Sequence, residues 1–260
     1  MRRTSTLGRR FALTGFGALA APSLALGQSA PAPVAKPPER VSVTLAGNRV
    51  LHGRLHLPAK VPAPAILLVH DAFGATDDLD RLAASLASDG LAAVVVDLLG
   101  GRTADSDEAA AELARAIDPA MAVDGVTLWF DWARSRKFCD QRLGSVGFGH
   151  GAEIAMLASD GASVTATAIF YGRVDAPAER LHRVDGRIIG HFGDRDGWAT
   201  TSMRIDLEIR LRRVQRDFKF FRYPAAGAFA NPRSKHFERT FMDLAWIRTV
   251  ATFKEAYGLP

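Results

Sequence analysis

The sequence has few of the residues that supply disulfides or thiolate metal sites. Its 260 residues include one cysteine, Cys139, which excludes an internal disulfide framework and a multi-cysteine zinc site. It also lacks an uninterrupted apolar run of the ~18–20 residues that span a bilayer, because glycine and proline break the run from Phe11 to Leu26. With 48% apolar and 23% charged residues, the composition excludes wholesale disorder and is typical of a soluble globular protein.

The first 27 residues have the order of an export signal. Four arginines open the segment: Arg2, Arg3, Arg9 and Arg10. An apolar run follows, and Ala25 and Gly27 then place small residues before Gln28, where we expect cleavage. The stretch at residues 8–13 (GRRFAL) resembles a twin-arginine signal, with the Sec route as the alternative. We predict a signal peptide over residues 1–27 and a periplasmic or secreted protein without stable membrane insertion. A retained membrane anchor is the other interpretation.

The basic charge of the chain lies mostly in this leader. Lysine and arginine number 33 against 28 acidic residues, a formal charge of +5. Residues 1–27 hold four arginines and no acidic residue, so the mature chain carries only +1. A further arginine cluster at residues 204–216 is interleaved with Asp206 and Glu208 and has no aromatic platform. The sequence therefore argues against a nucleic-acid partner.

After a linker rich in proline and alanine, residues 28–40, we predict one domain over residues 41–260. It opens with a hairpin whose strands, 41–45 and 50–57, flank the turn at residues 46–48. Three polar side chains alternate with leucines on the second strand: His52, Arg54 and His56. The alternation predicts a solvated face, and a metal site at the two histidines is the alternative.

Beyond the hairpin, apolar strands alternate with amphipathic helices. Strands are predicted at 66–69, 91–96, 143–146, 165–170, 188–192 and 218–223. Helices are predicted from about 77, at 106–117, 119–135 and 150–159, and around 203–214 and 246–257. This alternation predicts an α/β fold, with a doubly wound, mostly parallel sheet covered by helices on both faces.

One strand–turn–helix stands out as a candidate functional site. Residues 145–152 (SVGFGHGA) have the G-x-Nu-x-G frame of a nucleophile elbow, which holds a reactive side chain above the sheet. The helix that follows would direct backbone N–H groups at a developing oxyanion. The glycines also suggest a dinucleotide cradle, but the third is misplaced and no acidic residue ends the next strand. We therefore expect no cofactor, and no metal.

The elbow and four further segments follow the order of the dienelactone hydrolase family, which has the α/β-hydrolase fold. The segments are VHDAFG at 69–74, VDLLGGR at 96–102, HFGDRD at 191–196 and YPAAGAFAN at 223–231. The chain resembles that family from about His52 to Tyr257. The resemblance implies hydrolysis of small carboxylate esters or lactones. It also implies a substrate pocket formed by four residues: Asp71, Ala72, Arg102 and Trp198. Arg102, the basic residue among them, would bind a substrate carboxylate.

The departures from the family pattern affect the catalytic triad. The nucleophile position falls on Gly149, which has no side chain, and the base position falls at Gly227 or is deleted. Only the acid is present, as Asp196, while Asp71 stands where the family has glutamate. An acid with neither base nor nucleophile has nothing to orient.

Two functions follow from this pattern. The first is an impaired relative of the hydrolases that binds a small carboxylate-type ligand or a periplasmic protein. The alternative is an active ester or lactone hydrolase with a rewired site, in which His150 or His236 acts with Asp196. In the family frame the backbone N–H of His150 also lines the oxyanion site.

Overall fold

The structure is a computed structural model that describes residues 37–260. The predicted signal peptide, residues 1–27, and most of the predicted linker, residues 28–40, lie outside the described residues. The first strand begins at Glu39. Among the described helices, none combines the length and the apolar character needed to cross a membrane.

Eight strands of the described chain form one sheet, in the order β1-β2-β4-β3-β5-β6-β7-β8. The strands are β1 (Glu39–Thr44), β2 (Val50–His56), β3 (Ala63–Val69), β4 (Ala92–Asp97), β5 (Cys139–Phe148), β6 (Ala166–Phe170), β7 (Arg187–Gly193) and β8 (Phe218–Tyr223). The α-helices are α1 (Asp77–Ser88), α2 (Asp107–Ala114), α3 (Pro119–Arg134), α4 (His150–Ala158), α5 (Ala178–Leu181), α6 (Thr201–Arg213) and α7 (Arg239–Tyr257).

The sheet is parallel from β4 to β8 and antiparallel at its amino-terminal hairpin. β1 pairs with β2, and β2 pairs with β4, both antiparallel. Helices α1 and α7 contribute to one core cluster and helices α3 and α4 to a second, so both faces of the sheet are covered. Because neither face meets water, β3, β4 and β6 are buried at every residue. The predicted doubly wound, mostly parallel sheet with an amino-terminal hairpin is confirmed.

The solvated face predicted for the second strand of the hairpin holds at His52, which is exposed, but is wrong at Arg54 and His56. Helix α1 packs over that face, and Asp80 accepts hydrogen bonds from Arg54 Nε at 2.8 Å and pairs with His56 Nε2 at 2.9 Å. His56 is buried. At Arg54 and His56 the alternation reflects a partly buried ion pair between β2 and α1, which a sequence pattern does not distinguish from a solvated face. The described residues hold no cluster of three or more potential metal ligands.

The fold brings four loops together at one edge of the sheet. Strands β3, β5, β6 and β7 are neighbours and run parallel, so their carboxyl ends meet. The residues that follow these ends are Asp71, Gly149, Tyr171 and Asp196, and all four line one cleft.

Candidate active site

The turn between β5 and α4 has the geometry of a nucleophile elbow. Its central residue, Gly149, has φ +51° and ψ −118°, a conformation that costs a residue with a side chain about 1–3 kcal/mol. A Cβ atom on Gly151 would overlap the backbone of His70 and Val69. The sequence therefore keeps the tight turn, and the residue at its centre, which lines the cleft, has no side chain.

Two backbone N–H groups near this turn have no acceptor among the described residues. They belong to Ala72, in the loop after β3, and to His150, the first residue of α4. By contrast, Gly149 N donates to Phe170 O at 2.9 Å, and Phe73 N donates to Asp71 Oδ1 at 3.0 Å. Both Ala72 and His150 line the cleft. Such a pair of free donors can bind a carbonyl oxygen or an oxyanion.

Asp196, at the acid position, follows β7 and is 9% exposed. Its Oδ1 accepts hydrogen bonds from Trp198 N at 2.8 Å and Ala199 N at 3.0 Å. Its Oδ2 is buried and has no donor among the described residues. The loop thus fixes the carboxylate through one oxygen, and no described residue binds the other.

Gly227, at the base position, lies directly against this carboxylate. A Cβ atom built on Gly227 would lie 2.8 Å from both carboxylate oxygens of Asp196. The next residue, Ala228, has φ +56°, an unfavourable conformation for a residue with a Cβ atom. The backbone at Gly227 therefore lies against the Asp196 carboxylate, with no described side chain between them.

The two histidines proposed as replacements line the cleft but do not pair with the acid. Within residues 37–260, neither His150 nor His236 makes a side-chain hydrogen bond with Asp196. The His150 ring packs on Trp198, with centroids 4.7 Å apart and planes at 37°. Burial lowers the pKa of His150, against the opposing effect of the Asp71 and Glu153 carboxylates. His150 is thus a neutral imidazole at neutral pH. His236 is exposed in the loop between β8 and α7.

Asp71 is the centre of a buried hydrogen-bond network beside the elbow. Its carboxylate accepts from Tyr171 Oη at 3.1 Å and from Asn231 Nδ2 at 2.9 and 3.1 Å, in addition to Phe73 N. Burial, with the Asp71 charge, raises the pKa of Tyr171 well above its ordinary value, so the phenol stays protonated and donates. A Cβ atom on Gly149 would lie 3.0 Å from the Asp71 Cβ. The network forms the floor of the cleft beneath Gly149.

The cleft has a volume of about 350 Å³. Three of the four predicted pocket residues line it: Asp71, Ala72 and Trp198, the last at 37% exposure. Arg102 is not among the lining residues, and its Nε donates to Leu99 O at 3.1 Å. Sequence reasoning missed Tyr171 and Phe73 as site residues. The one feature of the sequence that could have identified them is their position, because each follows the carboxyl end of a predicted parallel strand.

Replacing Asp71 by leucine should destabilise the protein by about 3 kcal/mol or more. The substitution leaves the buried Tyr171 hydroxyl, the Asn231 amide and the Phe73 N–H without their acceptor, at about 1–3 kcal/mol for each unsatisfied group. Urea denaturation would measure the loss. Asp105→Leu, at an exposed loop position, is the control and should change stability by less than about 0.5 kcal/mol. Equal effects of the two substitutions would contradict the role of the network.

Comparison with known proteins gives the family of the chain. A model of the dienelactone hydrolase family matches residues 51–257. A Bradyrhizobium protein named as a probable 2-oxo-3-(5-oxofuran-2-ylidene)propanoate lactonase is 25% identical over 217 residues, 75% of this chain and 80% of its own. A Saccharolobus solfataricus protein, provisionally named a carboxymethylenebutenolidase, is 27% identical over 109 residues, and this match covers only 42% of either chain.

Solved structures show the same fold. A dienelactone hydrolase-like promiscuous phosphotriesterase from metagenomic libraries superposes with a TM-score of 0.75 at 20% identity, covering 85% of this chain and 99% of that one. The dienelactone hydrolase of Anabaena variabilis gives 0.65 at 19% identity, over 85% and 99% of the two chains. Because the family model spans most of the domain and the fold agrees, the chain belongs to the dienelactone hydrolase family.

Proposed function

We propose that this protein is an exported member of a hydrolase family that keeps the cleft but has lost triad catalysis, and that it binds a small carbonyl-containing ligand there. One observation carries the proposal. The elbow presents Gly149 to the cleft, and the acid Asp196 has a buried oxygen to which no residue of 37–260 donates. Nucleophile and base work as a unit, so the loss of both removes covalent catalysis.

The single thiol does not substitute for the nucleophile. Cys139 begins β5, whereas the elbow follows its last residue, Phe148. A strand rises about 3.3 Å per residue, which separates the two by roughly 30 Å. Cys139 is buried, and burial raises the pKa of its thiol, so the reactive thiolate is disfavoured.

What the cleft retains is suited to binding. The N–H groups of Ala72 and His150 are free to donate to a carbonyl oxygen, and Phe73, Tyr171 and Trp198 supply aromatic surface. Glycine at the elbow relieves the backbone strain that a nucleophile would carry. A site that keeps its donors and its shape while losing its reactive side chains favours ligand binding over turnover.

A rewired hydrolase is the second candidate, and the position of His150 favours it. Its imidazole lines the cleft beside its own free backbone N–H and is neutral because burial lowers its pKa. A neutral imidazole can attack an activated ester directly, without a carboxylate partner. Such a reaction would be slow, and it would depend on His150 but not on Asp196.

Export is the other part of the proposal and rests on residues 1–27 alone. The arginines and the apolar run there are typical of a cleaved leader, which would deliver the folded domain to the periplasm or the medium. Amino-terminal sequencing of protein recovered from the periplasm should begin at Gln28. Recovery of an intact leader in the membrane fraction would support a retained anchor instead.

The unaltered mature protein should hydrolyse p-nitrophenyl acetate and a dienelactone no faster than its Asp196→Asn variant. This expectation follows because no base among residues 37–260 is hydrogen-bonded to Asp196, so the carboxylate orients none. Initial rates over a range of enzyme concentrations would measure it, with His150→Ala and His236→Ala alongside. Turnover that falls at least about 100-fold on Asp196→Asn would refute the proposal. Turnover lost only on His150→Ala would support the second candidate.

A further inference from the structure

A second cavity adjoins the cleft at the Asp71 network. It lies between helices α1 and α7 and has a volume of about 240 Å³. Asp71 and Tyr171 line both spaces, so the hydrogen bond that joins them at 3.1 Å belongs to the wall between the cavity and the cleft. Because an apolar cavity of about 150 Å³ is enough to hold benzene, this one has room for a compound of one or two rings.

The inner wall of this cavity is apolar and contains aromatic rings. Leu79, Phe148 and Met242 are buried by the surrounding fold, so the surface they form is concave and not an open patch. Phenyl rings and the methionine thioether make favourable contacts with an aromatic ligand. The apolar side chains that line the cavity are Leu79, Leu82, Phe148, Ala230, Phe237 and Met242. A wall of this composition favours an aromatic compound.

The charged groups around the cavity disfavour an ionic ligand. Near its mouth Arg81 pairs with Asp78, and Arg239 pairs with Asp243 at 3.2 Å. Each oxygen of the Asp71 carboxylate already accepts two hydrogen bonds, and its charge would repel an anion. An ion of either sign would leave water for the apolar wall without gaining a partner of opposite charge. The cavity is therefore suited to a neutral ligand.

One buried hydroxyl at the cavity has no partner among the described residues. Thr76 lines the cavity immediately before α1 and is only 4% exposed. Its side chain neither caps α1 nor makes another hydrogen bond within residues 37–260. Unlike Asp196 Oδ2, this oxygen is not closed to solvent. Buried polar groups are nearly always hydrogen-bonded, so the Thr76 hydroxyl is a free donor and acceptor that a ligand in the cavity can reach.

We propose that the cavity between α1 and α7 is a second binding site, for a neutral aromatic compound of one or two rings with a hydroxyl group that hydrogen-bonds to Thr76. The rings lie against the apolar wall, and the hydroxyl exchanges a hydrogen bond with the threonine. The site is separate from the cleft to which the proposed function belongs, and neither depends on the other.

Three probes of nearly the same shape test the proposal by equilibrium dialysis at neutral pH: 2-naphthol, 2-methylnaphthalene and 2-naphthoate. The unaltered protein should bind 2-naphthol saturably and at least about 10-fold more tightly than 2-naphthoate, whose charge is lost to no partner in the cavity. Thr76→Val keeps the shape of the side chain and removes its hydroxyl. It should weaken 2-naphthol about 3- to 10-fold, as the loss of one neutral hydrogen bond predicts, and should not weaken 2-methylnaphthalene. Thr201→Val, at an exposed position in α6, is the matched control and should change neither Kd.

A filling variant locates the site. Leu82→Trp places a larger side chain at the cavity wall and should weaken both neutral probes at least about 10-fold. Leu244→Trp makes the same exchange at an exposed position of α7 outside the cavity and should leave both unchanged. Trp198→Ala alters the cleft instead, and 2-naphthol binding should survive it.

Thermal melts would establish that each variant is folded before binding is compared. No saturable binding of 2-naphthol, 2-naphthoate bound as tightly as 2-naphthol, or an equal loss of both neutral probes in Thr76→Val would each overturn the inference. A loss in Trp198→Ala as large as that in Leu82→Trp would place the probe in the cleft and overturn it as well. The ester assay on Asp196→Asn reports on the cleft alone, so its outcome leaves this inference untouched.

Discussion

A variant that combines Gly149→Cys with a histidine inserted between Gly227 and Ala228 should hydrolyse p-nitrophenyl acetate at least about 100-fold faster than the unaltered protein. The thiol would stand at the elbow above the free N–H groups of Ala72 and His150. The inserted imidazole would enter beside Asp196, whose Oδ2 is ready to accept its Nδ1 proton. Initial rates at fixed enzyme concentration measure the gain.

Each single change should leave the rate within a few fold of the unaltered protein, because a nucleophile without a base, or a base without a nucleophile, does not complete the unit. Gly149→Cys also carries a stability cost. The residue has φ +51° and its Cβ would lie 3.0 Å from the Asp71 Cβ, so a loss of about 1–3 kcal/mol is expected.

Gly149→Ala is the matched control for that cost, since it adds the Cβ and no nucleophile. It should lose the same stability and gain no activity, alone or with the inserted histidine. A double variant that folds, as judged by its melting transition, yet remains at the background rate would contradict an intact oxyanion site. Substantial activity in Gly149→Cys alone would instead identify His150 or His236 as a functioning base.

The sequence predicted the scaffold of the site well, because strand burial and the elbow are local properties. The apolar run of β4 and the glycines around Gly149 each determine their own segment, and the order of strands and helices then determines the sheet. These are features that neighbouring residues specify. The position of Asp196 followed instead from the resemblance of its segment, residues 191–196, to the family.

Hydrogen bonds between side chains that are far apart in the sequence were not predictable from the hydrophobic pattern. The pattern around Arg54 and His56 predicts a solvated face, yet both side chains contact Asp80. Asp80 lies in α1, at least 24 residues further along the chain. Tyr171 reaches Asp71 across 100 residues, and Asn231 reaches it across 160. Such contacts depend on loop conformations at the carboxyl edge, including φ +39° at Tyr171, which no periodicity encodes. Only the structure shows that neither His150 nor His236 is hydrogen-bonded to Asp196.

A second network of this kind lies in the core, and it fixes the protonation of His191. Arg248 Nη1 donates to Tyr223 Oη at 3.1 Å, so the phenol proton is directed to His191 Nδ1 at 2.8 Å. On the other side of the ring, the Thr249 hydroxyl donates to Ala245 O and therefore accepts from His191 Nε2 at 2.9 Å. The imidazole is thus the neutral Nε2–H form, with both nitrogens satisfied.

We expect this histidine to make the protein acid-sensitive between pH 6.5 and about 3. Burial, with a smaller effect from Arg248, lowers the pKa of His191 to about 3, while the unfolded chain titrates near ~6.5. The unfolded state then binds one more proton within that window, so stability is complete above pH 6.5 and falls by about 1.4 kcal/mol per pH unit below it.

His191→Gln keeps a donor and an acceptor but does not titrate. Urea midpoints at pH 7.5 and 4.5 should therefore show a loss about 2–3 kcal/mol larger for the unaltered protein than for His191→Gln. Parallel losses in the two proteins would mean that His191 is charged in the fold, which the Arg248–Tyr223–His191 chain of donors does not permit.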